Sequence, residues 1–216
     1  MPRILVINPN SNNLVTSKLQ TALYKYTSDI NITIHCISID EGPFGIETDA
    51  DILSAEPLIM NRIGSRIEDY DAFVIACYSD PGLSEARQIF KKPIYGIHET
   101  TIKFSAKKKV NFGVIALSEE SIDRHAMYVK KLNLERFYIG ERALDISVNE
   151  AVSDSNTLSK IIASGSKLIK EQAAQIIILG CAGMAKHRVK AEEELGVRII
   201  DPVQISVEIA IENFIR

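Results

Sequence analysis

No stretch of this 216-residue sequence approaches the roughly 20 consecutive apolar residues that a membrane span needs. Its early apolar run, Ile4-Leu5-Val6-Ile7, follows a single Arg3 and stops at Asn8-Pro9-Asn10, so it reads as a buried strand and not as a secretory signal. Cysteine is scarce. Three of them, at positions 36, 77 and 181, are odd in number and widely spaced, which argues against a disulfide framework or a zinc knuckle and fits a reducing cytoplasm. An excess of positive charge is lacking too: the net charge of −3 gives no footprint for nucleic acid or an acidic membrane. Lys107-Lys108-Lys109 is too short a basic run to change that, and reads as a solvated connection. No strand leads into Gly-x-Gly-x-x-Gly or a P-loop, so a dinucleotide or nucleoside triphosphate finds no phosphate cradle. Asp80 and Glu99 do not join the cysteines in the compact His/Cys cluster that zinc favours. The expectation is a protein without metal or cofactor, acting on a small molecule.

What is present is an ordinary globular composition, 46% apolar and 25% charged, patterned as α/β. Apolar β-branched runs predict strands over 4–7, 32–39, 73–76 and 93–96, and again over 112–117, 137–139, 176–179 and 197–200. Apolar residues at three and four spacing predict helices over 12–26, 52–67, 83–90, 121–132, 158–173, 186–195 and 204–215. This alternation is that of mostly parallel sheets flanked by helices.

The two halves read as copies. Asp71-Ala72-Phe73-Val74-Ile75-Ala76-Cys77 aligns with Gln175-Ile176-Ile177-Ile178-Leu179-Gly180-Cys181. Ile7 lies 70 positions before Cys77 and Leu117 lies 64 before Cys181; the next strand ends 19 positions after the first cysteine and 20 after the second. In open parallel sheets ligands bind beyond the carboxyl ends of the strands, where each cysteine sits. Two copies facing one another across a pseudo-twofold axis would aim both thiols into one cleft.

The chemistry of such a pair is proton exchange at carbon. Racemisation next to a carbonyl needs a proton removed on one face and returned on the other, which two equivalent acid–base groups provide when one is thiolate and the other thiol. Small and turn-forming residues follow each cysteine, Tyr78-Ser79-Asp80-Pro81-Gly82 and Ala182-Gly183-Met184, so backbone N–H groups are expected to lower the thiol pKa from about 8.5 and to stabilise an enolate. No pyridoxal lysine is required. Cys36, inside Ile34-His35-Cys36-Ile37, reads as core. Asp80, before Pro81-Gly82, reads as a turn or capping residue. His98, just past a strand end, is expected in the wall of the cleft, tuning a thiol or meeting a carbonyl.

The segments Ile7-Asn8-Pro9-Asn10-Ser11, Gly42-Pro43-Phe44-Gly45-Ile46-Glu47-Thr48, Cys77-Tyr78-Ser79-Asp80-Pro81-Gly82-Leu83 and Leu179-Gly180-Cys181-Ala182-Gly183-Met184-Ala185 resemble, in this order, the hydantoin racemase family of the aspartate/glutamate racemase superfamily. The resemblance implies two pseudo-symmetric α/β domains, 1–98 with 204–216 and 99–203, and an active site in the cleft between them. It implies Cys77 and Cys181 as the racemising pair, with Asn8, Ser118 and the backbone at Ser79, Gly183 and Met184 around the substrate ring. It also permits a closed symmetric homo-oligomer, the expected state in the cytoplasm that cysteine usage suggests, and implies racemisation of a 5-substituted hydantoin or an allantoin-like ureide. Departures at Tyr78, Ser79, His98, Thr100 and Ser118 add polar groups, and imply a substrate smaller or more polar than an arylalkyl hydantoin. Two alternatives share the fold: an amino-acid racemase of the aspartate/glutamate type or a related isomerase or decarboxylase, and a non-catalytic small-molecule binding protein. Asn8-Pro9-Asn10, where acidic amino-acid racemases carry a glycine-rich turn, argues against acidic amino acids.

Overall fold

The computed structural model describes residues 1–28 and 31–215; residues 29, 30 and 216, the last of which closes the expected first domain, lie outside the described residues. The first half runs β1 (Arg3–Asn8), α1 (Asn13–Leu23), the short α2 (Lys25–Ser28), β2 (Thr33–Ser38), α3 (Asp49–Arg66), β3 (Ala72–Ile75), α4 (Leu83–Ile89), β4 (Ile94–Gly96) and α5 (Ile97–Lys107). The second runs β5 (Phe112–Ala116), α6 (Glu119–Lys131), β6 (Tyr138–Ala143), α7 (Val148–Ser153), α8 (Thr157–Gln172), β7 (Ile176–Leu179), a 3-10 segment (Ala182–His187), α9 (Arg188–Leu195), β8 (Arg198–Ile200) and α10 (Pro202–Ile215).

The strands form two four-stranded sheets of identical order, β2-β1-β3-β4 and β6-β5-β7-β8, with every pairing parallel. The expected duplicated α/β build is therefore present. Its register differs from the sequence alignment. Ile7 pairs with Ile75, two residues before Cys77, and Ile115 pairs with Leu179, two residues before Cys181. The counterpart of Ile7 is thus Ile115, not Leu117, and that of Ser118 is Asn10, because the two loops that follow differ in chemistry and hid the offset.

The period of two in a strand divides the first sheet between two cores. Leu5, Ile7, Phe73 and Ile75 pack against Ala55, Ile59 and Ile63 of α3 and Leu83 and Ala86 of α4. Ile4, Val6, Ala72 and Val74 face the other way, into a core that continues through Val15, Leu19, Met184, Val203 and Val207 to both faces of the second sheet. The last helix, α10, returns to pack on α5, β3 and β4.

Local sequence explains most boundaries. Asn12 caps α1 by accepting from the Leu14 N–H at 3.1 Å, and reciprocal capping boxes start α3 (Thr48 with Asp51) and α7 (Ser147 with Glu150). No helix among the described residues is long and apolar enough to cross a membrane.

Candidate active site

A cleft of about 620 Å³, counting its solvent-filled mouth, opens where the carboxyl ends of both sheets meet. Matched loops build it. Asn10 follows β1 and Ser118 follows β5; Ala76, Cys77, Tyr78 and Ser79 follow β3, and Gly180, Cys181, Ala182 and Gly183 follow β7. Ile46 and Glu47 enter from the loop before α3, Ile146 from the loop before α7, Val148 from its first turn, Val15 from α1, and Ser121, Arg124 and His125 from α6.

Both thiols line this cleft, Cys77 partly exposed and Cys181 buried. The Gly183 N–H donates to Cys181 Sγ at 3.3 Å, and the N–H and hydroxyl of Ser79, two residues past Cys77, favour the Cys77 thiolate. Two tight approaches hold the turns. The Ala76 N–H donates to Ile7 O and the Gly180 N–H to Ile115 O, each at 2.8 Å. A Cβ on Gly180 would lie 2.8 Å from that same Ile115 oxygen, so glycine is required there.

The expected lowering of the thiol pKa is corrected in its net sign. Burial pushes Cys77 up to about 12, against the Ser79 N–H and Arg124, which pull it down, while Asp80 pushes it further up. Burial likewise pushes Cys181 up to about 12; the Gly183 N–H opposes, and Cys77, Glu47 and Asp201 add to the rise. The N–H groups act in the anticipated direction, but desolvation of the anion is larger. Cys36, away from the cleft, is also pushed up to about 12 by burial.

The other sequence-derived residues fall into two groups. Ser79, Ser118, Gly183 and Tyr78 line the cleft. Asn8, Met184, His98 and Asp80 stand behind it. Asn8 Nδ2 donates to Asn10 Oδ1 at 2.8 Å and to Thr16 Oγ1 at 3.0 Å, and Asn10 Oδ1 also accepts from the Asn12 N–H at 3.0 Å. With the Asn10 oxygen occupied twice, its amide NH₂ remains as the donor of a residue that lines the cleft. Met184 is buried in the shared core. Asp80 is held at φ 47°, a left-handed conformation that Asp tolerates, and its oxygens take the His98 N–H at 3.0 Å and the Glu99 N–H at 2.7 Å, capping α5. The His98 ring stacks on Tyr78 at 4.2 Å; burial, then His125 and Arg124, hold its pKa well below the usual range, so it is neutral.

Sequence reasoning missed Asn10, Glu47, Ser121, Arg124 and His125. The corrected repeat register would have exposed Asn10 as the partner of Ser118. His125 Nδ1 lies 2.9 Å from Glu141 Oε2, and that fully buried carboxylate also accepts from Tyr138 Oη at 3.0 Å, which fixes the imidazole at the cleft wall. Glu47 Oε1 accepts from the Val148 N–H at 2.8 Å, tying the first half to the second across the mouth.

Fold and cleft together define a class, a small-molecule enzyme built from a duplicated parallel α/β unit with its site at the joint. The family follows: the sequence model of the Asp/Glu/Hydantoin racemase family matches residues 4–210, and the chain belongs to that family. It is 32% identical to a hydantoin racemase from a Pseudomonas strain, over 96% of this chain and 84% of the relative, and 28% identical to a hydantoin racemase of Paenarthrobacter aurescens, over 96% and 89%. Among solved structures, an allantoin racemase from Klebsiella pneumoniae superposes with a TM-score of 0.91 at 26% identity, covering 100% of this chain and 88% of that one. The chain is an isomerase of the racemase kind.

Proposed function

We propose that this racemase inverts the C5 centre of a 5-substituted hydantoin or an allantoin-like ureide, with Cys77 and Cys181 as its two acid–base groups and no cofactor. The observation that carries the reading is that two thiols at equivalent strand ends line one cleft. In one direction a thiolate takes the C5 proton from one face and the opposite thiol delivers a proton to the other; the reverse direction exchanges the roles. The carbanion delocalises onto the ring carbonyl. Asn10 NH₂ and the Ser118 hydroxyl, matched across the pseudo-twofold axis, are the donors that meet the ring oxygens. The hydantoin and allantoin racemases to which the chain is similar support the choice of ring.

The test is isotope exchange. Single enantiomers of 5-methylhydantoin, allantoin, aspartate and glutamate are incubated in D₂O, with optical rotation and C–H loss followed by NMR. The ureides are expected to exchange and racemise and the amino acids to stay inert. Cys77→Ser and Cys181→Ser are each expected to reduce racemisation by about a thousandfold or more. Racemisation by both variants at the parent rate overturns the mechanism.

A further inference from the structure

We infer that Arg124 makes this cleft selective for a ring whose C5 substituent ends in a carboxylate, a reading that rests on the ureide racemase activity proposed above. Arg124 is the Lys/Arg cation among the residues that line the cleft, and it shares that wall with Ser121 and His125 of α6. The same lining includes Val15, Ile46, Ile146 and Val148, apolar side chains that suit the face of a flat ring. The guanidinium is only partly engaged. Its Nη1 donates to Asp49 Oδ1 at 2.6 Å, but that aspartate side chain is 80% exposed, so solvent screens the pair. Its Nε–H is buried and has no hydrogen-bond partner among the described residues.

Geometry then decides the ligand class. With Nη1 held by Asp49, the edge formed by Nε and Nη2 is left, and two parallel N–H donors on one edge match the two oxygens of a carboxylate. A single carbonyl fills only half of that edge. An alkyl or benzyl substituent fills none of it and leaves a desolvated donor unpaired, which discriminates against apolar side chains more strongly than pocket size can. Glu47, the carboxylate in the same lining, accepts the Val148 N–H through Oε1, and the ion pair that Arg124 makes among the described residues is with Asp49 and not with Glu47.

The experiment compares single enantiomers of 5-methyl-, 5-benzyl- and 5-(carboxymethyl)hydantoin in the D₂O exchange assay. The carboxymethyl ring is expected to show a kcat/KM about tenfold or more above that of the methyl ring. Arg124→Gln is expected to reduce that ratio to about one, chiefly through KM for the carboxylate substrate, with Arg124→Lys recovering part of it. Asp49→Asn, on an exposed side chain, is expected to lower KM for the carboxymethyl ring by about two- to fivefold, because the competing anion is gone. Equal rates on the methyl and carboxymethyl rings, or an equal slowing of both by Arg124→Gln with KM unchanged, overturns the inference while leaving the racemase reading intact. Exchange on none of the rings overturns the ureide reading itself, and this inference with it.

Discussion

At the residue scale the proposed role of the two thiols as acid–base groups conflicts with their burial. A base must be ionised, yet burial pushes Cys77 and Cys181 each to about 12, so at neutral pH only a small fraction of the free enzyme holds a thiolate. The sign of the consequence follows. Because kcat/KM reports the free enzyme, its logarithm is expected to climb with a slope of about one from about pH 7 to about pH 10, as each pH unit raises the thiolate population about tenfold. The uncatalysed exchange rate must be subtracted, and a plateau below about pH 8 would contradict the burial effect. Folding stability moves the other way. Below the unfolded thiol pKa of about 8.5 both states are neutral and full stability is kept; as pH rises through the folded value the unfolded chain ionises first and stability is lost. Exposure separates the pair, Cys77 being partly exposed and Cys181 buried. Iodoacetamide is accordingly expected to label Cys77 first, with peptide mapping as the check; first labelling at Cys181 would mean that access is not what controls reactivity.

At the scale of elements, legibility depended on whether an element shows a periodic face. β1, β3, β5 and β7 are short apolar runs, buried along nearly their whole length, and the sequence alone located them within two residues. The α5 helix was not read at all: its first six residues, 97–102, are buried all round although His98, Glu99, Thr100 and Thr101 are polar, and its β-branched residues are weak helix formers. β6 was read four residues short at its end, because its continuation, Gly140-Glu141-Arg142-Ala143, carries two charged residues. Glu141 nevertheless points inward to His125. The cysteines were legible because their place in the repeat is one-dimensional information. Arg124 and His125 were not, since only folding brings the middle of α6 to the cleft. What starts α5 instead of a helix-former signal is a long-range cap, Asp80, and it dictates the end of β4. A Cβ on Gly96 would lie 2.4 Å from Asp80 Cγ and 2.5 Å from Leu83 Cδ2. Gly96→Ala is thus expected to destabilise the protein by about 1–3 kcal/mol through overpacking and a displaced cap, measured as a lower urea midpoint. An unchanged midpoint would show that Asp80 can shift without cost.

At the scale of the molecule the duplication raises the question of whether each half folds alone, and the cores answer it. The first sheet has one private core, formed with α3 and α4, but its other face shares a continuous apolar core with the whole of the second sheet. α10 packs on α5, β3 and β4 and also on the 3-10 segment that follows β7, so it touches elements of both halves. A break confined to one half would expose apolar surface belonging to both. Ile178 of β7 and Val74 of β3, each fully buried in that core, serve as probes on opposite sides. Ile178→Ala is expected to cost about 2–5 kcal/mol. If the two sheets unfold as one unit, hydrogen exchange of the β3 amides must accelerate by the same free energy as that of the β7 amides. Acceleration confined to β7 would make the halves independent folding units. Coupling of this kind would serve the proposed two-thiol chemistry, because thiols on separate sheets can bracket one carbon only while the shared core fixes how far apart the sheets stand.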